Sequence, residues 1–281
     1  MSTAFDLIES RVAVCGNKPG TTMKRMYVAL TRAVPPTFAD CELTHLARER
    51  IDLNVAADQH AQYEALLRSL GVRVERVAPA PGHPDSVFIE DTAVVLDELA
   101  IVSRPGAVSR RGEVDAVANA LAVYRTVHPI DAPATLDGGD VLVIGRRVFV
   151  GQTRRTNPDA LRQLASMLEP LGYVVMGVPV TRCLHLKSAA TAATDDLIVY
   201  YPGWIDRDMF DGLECLAVDE SEVAAANVLR VGEAIVCPAS APRLVADLIA
   251  RGLEVHTLNA SELAKAEGAL TCCSLIVREV D

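Results

Sequence analysis

Three short, widely separated segments of this chain carry groups that could act together. Leu270-Thr271-Cys272-Cys273-Ser274 offers thiols, Leu184-His185-Leu186-Lys187-Ser188 an imidazole, and Thr135-Leu136-Asp137-Gly138-Gly139-Asp140 two carboxylates flanking two glycines. A sulfur that attacks, a ring that moves protons and an acid that orients the ring are what cysteine nucleophilic catalysis needs. Singly, each segment also has an ordinary reading: a small buried hydrophobe, a satisfied histidine, an Asp-Gly turn. It is their company that singles out Cys272 and His185. Cys272 opens the strand-like run 272–277, where side chains alternate, so Cys272 and Cys273 cannot both face one cavity. His185 and Lys187 likewise share one face of a Leu-His-Leu-Lys alternation.

A second cluster is acidic. Asp85, Glu90 and Asp91 gather where an apolar run, 92–96, begins. Such a cluster suits a solvated loop, or a clamp for a guanidinium, whose planar N–H donors match carboxylate oxygens. Arg110 and Arg155 are cations that could take the carboxylate end of an amino acid, although either taken alone reads first as solvated surface.

These residues need a scaffold, and one pattern recurs: an amphipathic helix, a closing glycine, an apolar strand. It runs 63–70 with Gly71 before 72–77, 161–171 with Gly172 before 173–180, and 243–251 with Gly252 before 253–258. The stretch 114–124 before 127–130 is a copy without the glycine. Leu161, Leu164, Leu168 and Leu171 fall at helical spacing, and Asn157-Pro158 provides an N-cap and first-turn proline. Strand pairs precede the helices at 92–96 with 100–103, 141–144 with 148–151, and 228–231 with 234–237. The unit is strand, strand, helix, strand, repeating at about 50 residues or somewhat less, a length that stacks radially. The expectation is an α/β fold, a propeller-like array of about five ββαβ units forming one domain over residues 1–281.

The 281 residues are 50% hydrophobic but only 4% aromatic, so Val, Leu, Ala and Ile must fill the core. A formal charge of -10 argues against nucleic acid and anionic membranes as partners and leaves a small cationic substrate open. No apolar run reaches the roughly 18 residues of a membrane span, and Met1–Asp6 does not open a signal peptide, so the cytoplasm is expected. Seven scattered cysteines without a C-x-x-C pair read as free thiols, not a disulfide framework or structural zinc site.

The segments Phe88-Ile89-Glu90-Asp91, Arg104-Pro105-Gly106, Ser109-Arg110-Arg111, Leu136–Asp140, Arg155-Thr156-Asn157, Leu184–Ser188 and Leu270–Ser274 stand in an order and spacing that resembles the dimethylarginine dimethylaminohydrolases, over about residues 20–280. These are guanidino-modifying enzymes with a five-unit pseudo-symmetric α/β propeller, the pentein fold. The resemblance implies Cys272 as nucleophile, His185 as the proton-transfer group and Asp137 as the acid orienting it. It places Glu90 and Asp91 against the guanidinium, and Asp85, Arg110 and Arg155 at the amino-acid end. Leu43 on a lid, with Ala266 and Glu267 just before the nucleophile, are further carry-overs. It implies hydrolysis of methylated arginines to citrulline, with neither metal nor organic cofactor, by a monomer or homodimer. Arginine deiminases, in the same superfamily, carry an Asp where Lys187 stands and have a long insertion. Losing that clamp leaves room for N-methyl groups. Amidinotransfer, a silent guanidinium-binding protein and a zinc module using Cys272 and His185 remain as alternatives.

Overall fold

The computed structural model describes residues 26–279; Cys15 and the N-terminal Met1–Asp6 segment lie outside them. Fifteen strands among these residues form five three-stranded sheets, each built to one rule. The central strand is antiparallel to the strand before it and parallel to the strand after it. The first sheet takes β1 (Tyr27–Thr31) as its centre, followed through helix α1 (Leu53–Ser69) by β2 (Arg73–Arg76). Then come β3 (Ala93–Val95), β4 (Leu99–Val102), helix α2 (Val114–Leu121) and β5 (Thr126–Pro129). The third sheet holds β6 (Val141–Ile144), β7 (Arg147–Gln152) and, after helix α3 (Pro158–Leu168), β8 (Val174–Pro179). A one-turn helix α4 (Leu186–Ala189) leads into β9 (Ala190–Ala192), β10 (Leu197–Tyr200) and β11 (Glu214–Ala217). The fifth sheet is β12 (Leu229–Val231), β13 (Ala234–Pro238) and, after α5 (Pro242–Ala250), β14 (Glu254–Leu258). Finally the short helix α6 (Ser261–Ala264) precedes β15 (Leu275–Arg278), which returns to pair antiparallel with β1.

The expected ββαβ unit is therefore present four times with its helix. In the fourth unit a short 3-10 turn, Arg207–Phe210, replaces it. The helices form where the sequence caps them. Asp52 accepts from the N–H groups of Asn54 and Val55, so α1 starts ten residues earlier than the apolar spacing suggested. Asn157 caps α3, whose Ala160, Leu164 and Leu168 are buried, each leucine contributing about 1.5–3 kcal/mol. Gly71, Gly172 and Gly252 take φ near +80°, the left-handed turn that ends each helix and starts the following strand.

The first strands of all five units (β3, β6, β9, β12 and β15) line one central channel of about 300 Å3. The sheets thus close into a ring, and a tight turn precedes each first strand at the same level. These turns are Ile89–Thr92, Gly138–Asp140, α4, Glu220–Ala226 and Thr271–Cys273. Two sequence expectations change here. Cys272 sits in a 3-10 turn rather than a strand, which begins three residues later, because the chain must turn before joining β1. His185 is the N-cap residue of α4 rather than one tooth of a strand alternation.

Candidate active site

Because the five turns are equivalent, residues far apart in sequence arrive at one end of the ring. The turn Gly138–Asp140 presents Asp137 at its N-cap, fully buried. Asp137 Oδ1 accepts from Gly106 N–H at 2.9 Å, and Oδ2 lies 3.0 Å from His185 Nε2. The other ring nitrogen, Nδ1, stands 3.6 Å from Asp91 Oδ1. Asp91 Oδ1 accepts from Gly139 N–H at 3.1 Å, and Oδ2 is paired with Arg110 at 2.5 Å. Gly139 is required at this crossing. A Cβ there would lie 2.7 Å from both Asp91 Oδ1 and His185 Nδ1.

The imidazole is held between carboxylates. Burial alone would lower its pKa, but Asp91, the hydrogen bond to Asp137, and Asp140 outweigh burial and raise it to about 9. His185 is therefore an imidazolium at neutral pH. Asp91 moves the opposite way, to about 2: burial opposes ionisation, but His185 and Arg110 prevail. Cys272 is driven up by burial, with the Glu90 and Asp91 charges adding to the shift. The resting pair is a neutral thiol facing a protonated ring.

A narrow cleft joins these groups. Cys272, His185, Asp91, Asp85, Arg110, Arg155, Ala266 and Glu267 line it, together with Glu42, Phe88, Leu184 and Gly268. Cys272 is partly accessible, whereas Cys273 is fully buried with its Sγ 3.6 Å from Ala269 O. Asp85 is buried, accepts from Glu42 N–H at 3.2 Å, and has its pKa raised to about 6 by burial. Arg155 reaches Asp137 at 3.5 Å and Glu42 at 3.4 Å.

Four sequence candidates have surroundings that the sequence did not anticipate. Glu90 is not among the cleft-lining residues; it faces the channel end, paired with Lys187 Nζ at 2.5 Å and accepting from Thr271 Oγ1 at 2.7 Å. Arg110 is buried and tied to Asp91, both oxygens of Glu113, and the carbonyls of Asp85 and Phe88. Its guanidinium braces Asp91. Leu43 packs half-buried against the core cluster that includes Phe38 and Cys41, outside the cleft lining. Glu267, at φ +58°, accepts from the N–H groups of Thr44, His45 and Leu46, tethering that segment.

A family model described as N,N dimethylarginine dimethylhydrolase, eukaryotic, matches residues 42–228. The N(G),N(G)-dimethylarginine dimethylaminohydrolase of Streptomyces coelicolor is 40% identical over 254 residues, 90% of this chain and 97% of that protein. This chain belongs to the dimethylarginine dimethylaminohydrolase family. The family's Pseudomonas aeruginosa enzyme is 30% identical over 234 residues, covering 83% of this chain and 91% of that one. Its solved Cys-to-Ser mutant, complexed with citrulline, superposes with a TM-score of 0.83 at 29% identity, covering 92% of this chain and all of that chain. A dimethylarginine dimethylaminohydrolase His-to-Gly adduct with S-methyl-L-thiocitrulline matches equally well, with TM-score 0.83, 29% identity, and 91% and 100% coverage. The pentein expectation agrees with these neighbours.

Sequence reasoning missed Glu42, for which no local motif exists, and Asn227. The Asn227 side chain accepts from Thr271 N–H at 3.1 Å and donates to Thr271 Oγ1 and Lys187 O at 2.9 Å, bracing the nucleophile turn. Asn227 ends the turn before β12, so the fivefold repeat was the signal that could have found it. Asp91, Asp137 and His185 bring one ligand atom each within 4.8 Å of the others. Those atoms face a protonated ring, Gly106 and Gly139 N–H groups and Arg110, which suits an ion-paired network better than a metal centre.

Proposed function

We propose that this family member hydrolyses Nω-methylated arginines to citrulline and methylamine or dimethylamine, within one catalytic domain, through a covalent adduct on Cys272. The observation that carries this reading is the convergence of Cys272, His185 and Asp91 on one cleft in a chain of this family. A guanidinium is a poor electrophile because its charge is delocalised. Set against Asp91, its plane is fixed over the sulfur, turning an encounter into an oriented contact. Burial and, beyond it, the Glu90 and Asp91 charges keep the thiol protonated; the arriving cation offsets those charges, so substrate favours the thiolate.

The thiolate then attacks the guanidino carbon, forming the C–S bond of a tetrahedral adduct. His185, already an imidazolium and steadied by Asp137, gives its proton to the departing amine as the C–N bond breaks. A planar S-alkylthiouronium remains. Neutral His185 next removes a proton from water, which adds to the same carbon. Collapse of that adduct expels the thiolate and leaves citrulline. Asp85 and Arg155 are suited to the zwitterionic end of the amino acid, Arg155 being ion-paired here with Glu42 and Asp137. Lys187, engaged with Glu90, gives no second carboxylate to the guanidinium, which favours methylated over free arginine.

Incubation with asymmetric dimethylarginine should yield equal amounts of citrulline and dimethylamine, and Cys272→Ser should abolish both. Wild-type turnover in Cys272→Ser would refute the nucleophile. Arginine turnover equal to or faster than that of the methylated forms would move the activity to deimination. Among the described residues no helix is long and apolar enough to cross a membrane.

A further inference from the structure

Asp140 is a buried carboxylate that the chemistry above leaves unused. It ends the same Gly138–Asp140 turn whose N-cap, Asp137, holds the His185 ring. Its Oδ1 accepts from Leu186 N–H at 2.9 Å, directly after His185, and its Oδ2 accepts from Thr153 Oγ1 at 2.7 Å. Thr153 Oγ1 in turn accepts from Arg155 N–H at 3.0 Å and Thr156 N–H at 3.2 Å, while Thr156 Oγ1 accepts from Asp137 N–H at 3.1 Å. One turn therefore grips the histidine twice, by its ring and by the peptide that follows it. The approach is close: a Cβ on Gly151 would lie 2.5 Å from Asp140 Oδ1 and 2.9 Å from Leu186 Cβ. A serine or asparagine could cap Leu186 without a charge. Among the described residues no lysine or arginine ion-pairs with Asp140; burial raises its pKa to about 6, with the His185 charge pulling the other way, so the carboxylate is ionised at neutral pH beside the imidazolium.

We propose that Asp140 is a positioning residue for the reaction: by capping the turn that begins after His185 it sets where the imidazole stands, and its charge helps keep that ring protonated for amine release. The proposal rests on His185 being the proton-transfer group. The charged and titratable groups around that pair are Asp91 and Asp137 on the ring, with Arg110 paired to Asp91 and Arg155 to Asp137. Lys187 lies two residues on, Cys183 donates to His185 O at 3.2 Å, and Cys272 shares the cleft.

The test compares Asp140→Ala and Asp140→Asn in the full chain, measuring kcat and KM for asymmetric dimethylarginine from pH 6 to 10 alongside thermal unfolding. Removing the cap lets the ring drift, and a displacement of about 1 Å costs up to about a hundredfold. Asp140→Ala should lose at least about tenfold in kcat with KM within about threefold. Asp140→Asn keeps an acceptor for Leu186, so it should recover most of the lost kcat at neutral pH. Without the charge, its alkaline limb should fall by about half a pH unit or more. Folded Asp140→Ala with kcat within twofold of wild type overturns the proposal, whatever its melting temperature. If Asp140→Ala does not fold, the Asn variant decides alone, and an alkaline limb coincident with wild type overturns it. A separate His185→Gly variant isolates the underlying assignment. Inactivity there with unaffected Asp140 variants sinks only this proposal, whereas wild-type turnover in His185→Gly sinks the acid–base role itself.

Discussion

Gly139→Ala probes the crossing point of the site with a single methyl group. The added Cβ would stand 2.7 Å from His185 Nδ1, 2.9 Å from His185 Cγ and 2.7 Å from Asp91 Oδ1, where ordinary contact begins at 3.4 Å. Neither neighbour yields easily. His185 is tied to Asp137 at 3.0 Å, and Asp91 is tied to Arg110 at 2.5 Å, which is itself locked on Glu113. Ring and carboxylate must each retreat by more than half an ångström, or the turn must shift and weaken the Gly139 N–H bond to Asp91. Misplacement on that scale costs about a hundredfold in kcat/KM, equivalent to ~2.7 kcal/mol of barrier, with about 1–3 kcal/mol of folding stability lost to overpacking. Citrulline formation at 25 °C, where the variant remains folded by circular dichroism, measures the first effect. Gly82→Ala is the control, since nothing lies within 4 Å of its Cβ position and turnover should be unchanged. A folded Gly139→Ala enzyme within twofold of wild type would refute the claim that Asp91 and His185 must meet across this glycine.

Other perturbations read other parts of the structure. Lys187→Met leaves buried Glu90 without its cation and should cost about 3–5 kcal/mol in urea unfolding; a loss below about 1 kcal/mol would show the pair to be dispensable. His185 has a folded pKa raised to about 9 from an unfolded value near 6.5, so its stabilisation is complete below about pH 6.5 and disappears as pH rises through 9. The stability difference between wild type and His185→Asn should shrink across that window by about 3 kcal/mol, and a pH-independent difference would contradict the raised pKa. Glu267→Ala removes the acceptor shared by three backbone N–H groups, so hydrogen exchange at Thr44–Leu46 should accelerate; unchanged protection would show that the segment is held from elsewhere. Gly268→Ala drives a Cβ into the Phe88 ring, which should displace the loop before Cys272 and slow its alkylation.

The repeat was legible because it lives in local signals: Asn157 with leucines at helical spacing, and glycines at 71, 172 and 252 that terminate helices through positive φ. The backbone of the site was not. The apolar–polar alternation at 184–187 and the mostly apolar run 272–277 look like strands in sequence alone. Both begin instead as tight turns, because each unit must reverse before its first strand enters the ring. Glu90 and Asp91 are adjacent in sequence, and nothing in their spacing separates them. On a 3-10 turn they diverge, one into the cleft and one to the channel end with Lys187. Arg110 read as exposed because its acceptors, Asp91, Glu113 and two carbonyls, are assembled only by folding.

The strand that seals the ring, β15 against β1, follows the nucleophile turn by a single residue. Every site acid and the imidazole precede the sulfur in the chain, on units of their own, and the pairing of β15 with β1 holds the thiol's turn against them. A molecule in which that pairing is undone would carry its thiol away from the imidazole and the acids, without the means to use it.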